Sequence, residues 1–266
     1  MIVVKIGGAK GIDYDKVLAD VAALIKEGEE LLIIHGGKGE LEDVATKMGN
    51  PPQWVETASG YTSRRTDKET MSIFTMVYAG RMNKMIVEKL QALDVNAVGL
   101  SGIDGGMVTA KRKNIIIQEG EKKIILRDDY TGKIEEVNIT VLETLIDAGF
   151  SPVVCPPVLS EEGEALNVDG DRMAAALAEA FGAETVVYLS NVPGLLKDKD
   201  DESTLIKKIN KKKVEEAMEF AKGTMKKKVM GAIESLNAGV AKVIFADARV
   251  DEPIRKALDG KGTVIQ

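Results

Sequence analysis

Residues 2–6, Ile-Val-Val-Lys-Ile, run without polar alternation into Gly7-Gly8, and residues 31–34, Leu-Leu-Ile-Ile, run in the same way into His35-Gly36-Gly37. Short apolar runs of this kind read as strands covered on both faces, as in the parallel sheet of an α/β protein. A helical pattern follows each. Asp13 is placed to cap a helix through about Glu27, with Val17, Leu18, Val21, Leu24 and Ile25 on one face, and a second helix spans Glu40 to Met48. Two successive strand-turn-helix units bring both glycine turns to the carboxyl edge of one sheet, where open α/β sheets hold ligands. Lys5 is the oddity in the first strand. A buried ammonium is costly without an anion, so beside glycine amides it points to a polyanion site, unless it snorkels to the sheet edge or pairs with a carboxylate. The spacing is neither Gly-x-Gly-x-x-Gly nor Gly-x-x-x-x-Gly-Lys-Ser/Thr, so dinucleotide-fold and P-loop readings lose support. His35, with no second histidine or cysteine beside it, reads as a packing and hydrogen-bonding residue of its turn.

Asn50-Pro51-Pro52 breaks the chain, and Gln53 to Thr66 reads as a short hairpin or lid carrying Trp54, Tyr61, Arg64 and Arg65. Either arginine could clamp a carboxylate or lie in solvent. Thr66-Asp67-Lys68-Glu69 resembles a capping box ahead of a helix from Asp67 to Leu93 that is apolar on more than one side. A strand at Asn96 to Leu100 empties into a third glycine turn, Ser101 to Gly106. Short strands at Met107–Arg112, Ile115–Gln118, Ile124–Leu126 and Lys133–Val137 form a lid or acceptor-side wall, with turns at Glu119-Gly120 and Thr131-Gly132. A helix at Thr140 to Ala148 and a strand at Ser151 to Cys155 follow, and the first lobe, residues 1–166, ends near Leu166. Asn167, Asp169 and Asp171 then open an alanine-rich helix; three polar residues in five positions exceed what a cap requires.

In the second lobe, residues 167–266, a strand at Thr185 to Leu189 runs into Ser190-Asn191-Val-Pro-Gly194-Leu-Leu-Lys197, a loop suited to nucleotide contacts. Lys207, Lys208, Lys211, Lys212 and Lys213 lead into a helix and read either as a solvated face or as a docking patch for an acidic protein. Lys226, Lys227 and Lys228 open the helix that runs to about Ala238. Cations there oppose the helix dipole unless an anion joins them, which makes a phosphate partner plausible. A strand at Val240 to Phe245, a helix at Pro253 to Leu258 and a strand at Thr263 to Ile265 close the chain. The alternation predicts a three-layer α/β/α sandwich with a mainly parallel central sheet.

Composition narrows the functional classes. At 266 residues and 44% hydrophobic the chain can bury a large core, and a net charge of −6 argues against general nucleic-acid binding. One cysteine, Cys155, excludes an intrachain disulfide framework and a cysteine-based zinc site, and no protein-built metal site is expected. No apolar run approaches the ~20 residues of a membrane helix, and a first strand at residue 2 leaves no room for a signal peptide; a cytoplasmic enzyme is expected. Lysines and glycine turns suit a reaction that gathers anions and needs no general base, such as attack of a carboxylate on a γ-phosphate.

Val4-Lys5-Ile6-Gly7-Gly8, Ile34-His35-Gly36-Gly37, Asn167-Val-Asp-Gly-Asp171 and Gly223-Thr-Met225-Lys-Lys-Lys228 together resemble the amino acid kinase family, and within it the acetylglutamate kinase branch. The resemblance covers essentially the whole chain, in order. Residues Ser59 to Thr70 and Phe74 to Gly80 look like the kinases of the carrier-protein pathway. There aminoadipate, or in many archaea glutamate, is phosphorylated on its side-chain carboxylate while its amino group is held by a small acidic carrier protein. The resemblance implies a carbamate kinase-like fold in which Lys5 and Lys228 stabilise the phosphoryl group in flight and Asp171 holds those lysines. It implies that Gly7 and Gly8 bind phosphate, that Gly36, Gly37, Arg64 and Asn167 bind the acceptor, and that backbone amides of Gly8, Gly36 and Gly37 take part. ATP with Mg²⁺ would occupy the second lobe at Ser190, Asn191, Gly194 and Lys197. A homodimer without arginine feedback is expected, because the N-terminal helix of the arginine-inhibited hexamers is absent. Two departures bear on local nucleotide geometry: Gly223-Thr224-Met225 stands where Gly-Gly-Met is usual, and Lys10 follows the first turn. Rival readings are an N-acetylglutamate kinase, a kinase of the same fold acting on uridylate, carbamate or isopentenyl phosphate, and a non-catalytic amino-acid sensor.

Overall fold

A computed structural model describes residues 1–57, 62–119, 122–219, 221 and 224–266. Ser59 and Tyr61 of the expected lid, Gly120 of a hairpin turn and Gly223 of the second lysine motif lie outside the described residues, as do the side chains of Thr224 and Lys227.

Among the described residues, eight strands form one sheet in the order Lys208–Ile209, Thr263–Ile265, Lys242–Asp247, Thr185–Ser190, Ile2–Ile6, Leu31–His35, Ser151–Cys155, Ala97–Ser101. All pairings are parallel except that of Thr263–Ile265 with Lys242–Asp247. The alternation of a strand sends neighbours to opposite faces. Val3, Leu32, Ile34, Val154, Val186 and Tyr188 pack on one side with the helices Gly170–Ala180 and Thr224–Asn237, while Val4, Ile6, Ile33, Val153, Val187 and Leu189 pack on the other with Tyr14–Lys26, Asn83–Ala92 and Pro253–Leu258. The outcome is the expected three-layer sandwich, and one sheet runs through both expected lobes. The chain leaves Ile2–Ile6 to build Leu31–His35 on one side and reaches Thr185–Ser190 on the other, so the first glycine turn lies where strand order reverses.

Asp13 caps the first helix as expected, accepting from the Lys16 amide at 3.2 Å. The expected helix from Asp67 to Leu93 is continuous but not uniform: Lys68–Thr75 and Asn83–Ala92 are α-helical, and Met76–Met82 between them is widened to a π-helix. Two expectations are corrected. The lysines at 211–213 lead into 3₁₀ turns, Lys211–Glu219, rather than a regular helix. The strand placed at Val240 to Phe245 is Lys242–Asp247, because the turn before it holds Val240. The wall beside the sheet is a four-stranded unit, Ala165–Leu166, Val158–Ser160, Val108–Arg112 and Gly132–Val137, joined by the hairpins Trp54–Glu56/Thr62–Arg64 and Ile115–Glu119/Lys122–Leu126. Among the described residues no helix is long and apolar enough to cross a membrane.

Candidate active site

Lys5 pairs in register with Ile34 and Tyr188, and its side chain shares the face of Val3, beneath the start of the helix Gly170–Ala180. Its Nζ lies 2.6 Å from Asp171 Oδ1, and Lys228 Nζ lies 3.4 Å from each oxygen of the same carboxylate. The two acids of the Asn167–Asp171 stretch divide the work: Asp169 caps the helix, its Oδ1 accepting from the amides of Asp171 at 3.0 Å and Arg172 at 3.3 Å, which leaves the Asp171 carboxylate to the lysines. Lys5 and Asp171 each keep 6% of their surface. Burial works against the Asp171 carboxylate, but Lys228 and Lys5 outweigh it and hold its pKa at about 2. Burial pushes the Lys228 ammonium below its ordinary value, with Asp171 pulling it back up and Lys5 lowering it further. By formal charge, two ammoniums on one carboxylate leave the cluster one positive charge in excess, in a place with little water to screen it. Gly231 allows the helix carrying Lys228 this close, since a Cβ there would stand 3.3 Å from the Asp171 carbonyl.

The two glycine turns meet backbone to backbone. A Cβ on Gly8 would fall 2.2 Å from the Gly37 nitrogen and 2.6 Å from that of Lys38, so this contact tolerates glycine alone. The Gly39 amide donates to the Gly8 carbonyl at 2.7 Å and locks the turns together. The expected donor role changes for two glycines. The Gly36 amide donates to the Ile6 carbonyl and the Gly7 amide to the Leu189 carbonyl, both at 2.9 Å, so these residues extend the sheet ladder and supply closeness of approach. The Gly8 amide meets no acceptor among the described residues. Gly37 stands at the N-cap of the helix Lys38–Lys47, where helix amides favour anions.

His35 is fully buried and neutral: burial pushes its pKa down to about 4, against the hydrogen bond with Gly36. Nδ1–H donates to the Gly36 carbonyl at 2.8 Å, and Nε2 accepts from Asn83 Nδ2 at 3.2 Å. Asn83 also donates to the Val153 carbonyl at 2.9 Å, tying two strand ends to the helix that follows the π segment. It carries no signal in the sequence. Its room comes from Gly99, where a Cβ would lie 1.8 Å from Asn83 Oδ1. With both ring nitrogens occupied, His35 is unavailable as a base, and Cys155 is buried with its thiol pKa raised by burial. A folded pKa near 4 against about 6.5 unfolded means that His35 favours folding above pH 6.5 and that this contribution is lost as pH falls from 6.5 toward 4. Denaturant unfolding should therefore show about 2–3 kcal/mol more loss between pH 7 and pH 4.5 in the wild type than in His35→Gln. Parallel pH profiles would exclude a buried neutral His35.

On the wall beside the turns, the structure separates the two arginines that the sequence leaves equivalent. Arg65 pairs with Asp128 and donates weakly to Gln53 at 3.4 Å, and its Nε alone is buried without a partner among the described residues. Arg64, on the strand Thr62–Arg64, has buried Nε and Nη1 atoms with no hydrogen-bond partner among the described residues, a costly arrangement that an incoming carboxylate would relieve. Asn167 Nδ2 donates to Thr66 Oγ1 at 3.1 Å, two residues from Arg64, and Thr66 is fixed by Asp129 accepting from its amide at 3.0 Å. Asn167 and Arg64 are thus held on adjoining segments of one wall. Sequence reading missed Thr66 and Asp129 as the struts.

The loop after Thr185–Ser190 lies at the same carboxyl edge. Asn191 Nδ2 donates to the Lys10 carbonyl at 3.1 Å and joins this loop to the first glycine turn, while Lys197 is exposed. Gly194 is buried at φ 154°, where a Cβ would come within 2.6 Å of Thr263 Oγ1, so it shapes the loop from beneath. Lys10 points outward, paired with Asp43 at 2.8 Å. Of the lysines after 207, Lys211 donates to the Val240 carbonyl at 3.2 Å and Lys213 pairs with Glu216 at 3.3 Å. Both lie in the turns that follow the edge strand Lys208–Ile209, whereas Arg64 belongs to a separate two-stranded unit.

The sequence pattern described as the amino acid kinase family matches residues 1–247. A LysW-aminoadipate kinase of Thermus thermophilus is 50% identical over 270 residues, covering 100% of both chains, and one of Deinococcus radiodurans is 53% identical over 267 residues, covering 100% of this chain and 91% of that one. Among solved structures, the carbamate kinase of Giardia superposes with a TM-score of 0.70 at 17% identity, covering 99% of this chain and 97% of that one, which speaks to the fold alone. Since the matched span runs from the first glycine turn through Asp171 and both lysines that share it, the chain belongs to the amino acid kinase family.

Proposed function

We propose that this protein transfers the γ-phosphoryl group of ATP to the side-chain carboxylate of L-2-aminoadipate, L-glutamate or both, held through the amino group on a small acidic carrier protein. The observation that carries the reading is the buried Lys5–Asp171–Lys228 cluster, with its surplus positive charge, at one end of a site whose other wall presents Arg64, with Nε and Nη1 buried and unpartnered among the described residues. A carboxylate oxygen attacks the γ-phosphorus, the bond to the β-phosphate oxygen breaks, and ADP leaves with the electron pair; the product is an acyl phosphate. No proton moves, which suits a site whose histidine is buried and neutral. What limits such a step is the approach of two anions, and fixed ammoniums and the Gly8 amide offset that repulsion without reorganising.

In this reading Lys5 and Lys228 stabilise the transferred group, Asp171 positions them, Gly8 meets phosphate, Gly37, Arg64 and Asn167 hold the acceptor, and the loop of Ser190, Asn191 and Lys197 meets the nucleotide. Residues 1–166 form the acceptor lobe and 167–266 the nucleotide lobe. No group of three or more His, Cys, Asp or Glu among the described residues could hold a metal, and Asp169 and Asp171 are both engaged, so Mg²⁺ would enter on the triphosphate. The names of the full-length relatives support the carrier-linked acceptor. The outer face of the helix 68–92, with Met76 exposed by 50% and open space beside Gly80, supports a homodimer, and a cytoplasmic site fits the biosynthetic role.

The test is a hydroxylamine trap for acyl phosphate with Mg²⁺-ATP, comparing carrier-linked aminoadipate, carrier-linked glutamate and free N-acetylglutamate. Signal from the carrier-linked acceptors is expected, and their ratio names the preferred acid. Efficient turnover of free N-acetylglutamate would make this an N-acetylglutamate kinase instead, and no signal with any of the three would revive the sensor.

A further inference from the structure

Tyr78 sits in the π segment Met76–Met82, where the helix is wider than its α-helical flanks, and π turns interrupt α-helices mostly at functional sites. Its ring is stacked on Phe74, with centroids 4.0 Å apart and planes 19° from parallel, and its edge lies against Gly37, where a Cβ would meet Cε2 at 3.1 Å. Met82, at the end of the same segment, closes the same side, its Cγ 3.2 Å from where a Cβ on Gly37 would stand. The ring is therefore fixed between the second glycine turn and the helix. Its hydroxyl faces the Gly37 amide, with the Arg64 guanidinium and the Asp169 carboxylate in electrostatic range.

That setting has a consequence for the phenol proton. Of these groups the backbone N–H and the guanidinium can only donate, so neither can accept the phenol proton. Asp169 Oδ1 is already taken by two helix amides, and among the described residues none is recorded as accepting from the Tyr78 hydroxyl. Burial raises the phenol pKa to about 12, so the proton stays in place at any working pH. A hydroxyl that lacks an acceptor among the described residues, beside a guanidinium whose buried Nε and Nη1 lack partners there too, marks a place where one anion satisfies both.

We infer that Tyr78 is an acceptor-binding residue: its hydroxyl donates to the acceptor carboxylate that Arg64 grips, and its ring, wedged between Phe74 and Gly37, sets how long an acceptor can span from Arg64 to the glycine turns. This rests on the reading of the site as a carboxylate kinase. Tyr78→Phe keeps the stack, the contact with Gly37 and the apolar burial while deleting one hydroxyl. With carrier-linked aminoadipate the variant should show an acceptor KM raised about 10- to 100-fold, with kcat within about 3-fold and the KM for ATP unchanged. In Tyr78→Leu, which also removes the ring, the ratio of kcat/KM for aminoadipate over glutamate should shift by about 5-fold or more. Thermal unfolding of the Tyr78→Phe variant within a few degrees of wild type confirms that the fold is intact. An active wild type whose acceptor KM survives Tyr78→Phe and whose acceptor ratio survives Tyr78→Leu overturns this inference and leaves the proposed function standing. A wild type inactive toward all acceptors overturns both.

Discussion

Lys228→Ala is expected to lower kcat about 10²- to 10³-fold while leaving the KM values for ATP and acceptor within a few-fold, the pattern of a contact made mainly in the transition state. Among the described residues the Lys228 Nζ pairs with Asp171 alone, at 3.4 Å, whereas Lys5 holds the same carboxylate at 2.6 Å. Removing Lys228 therefore leaves Asp171 paired and the helix Gly170–Ala180 capped by Asp169, so the fold should persist while the surplus charge disappears. Removing Asp171 is a different experiment, since two buried ammoniums would then repel each other with no anion between them. Single-turnover measurement of acyl phosphate formation separates the cases. An unchanged kcat in a folded Lys228→Ala protein would take this residue out of the mechanism.

The sequence made the site's phosphoryl end readable because its signals are local. An apolar run that ends in two glycines, a lysine inside it, and acids at a helix start each announce themselves within ten residues, and the structure brings that lysine, Lys5, against one of those acids, Asp171. The acceptor end was less legible, for a physical reason. Which of Arg64 and Arg65 is free depends on Asp128, more than sixty residues along the chain, and the support of Asn167 depends on Thr66, a hundred residues away. Tyr78 reads in the sequence as one more apolar helix face. Its position follows from a π turn, which has no strong residue signature, and from a glycine brought against it by strand order. Asn83 is invisible for the same reason, as its partners His35 and Val153 come from two other strands. The two-residue edge strand Lys208–Ile209 is too short for periodicity to register.

Arg64→Ala is expected to raise the acceptor KM about 10²-fold or more, with kcat reduced far less and the KM for ATP unchanged, because it removes binding that acceptor and transition state share. The size follows from the cost the free enzyme already bears. Nε and Nη1 of Arg64 are buried without hydrogen-bond partners among the described residues, so an acceptor carboxylate meets a fork stripped of water and gains two charge-assisted bonds without first displacing a competing anion. Arg64→Lys should recover only part of the loss, since an ammonium keeps the charge but cannot grip a carboxylate bidentately. Arg65→Ala is the control: its guanidinium is spent on Asp128, which is more than half exposed, and a pair of that kind is worth about 0–1 kcal/mol. Acceptor and ATP titrations on the three variants decide the matter. A kcat defect in Arg64→Ala at unchanged acceptor KM, or an equal effect from Arg65→Ala, would mean that the acceptor is anchored elsewhere on the wall and that the bare guanidinium serves another purpose.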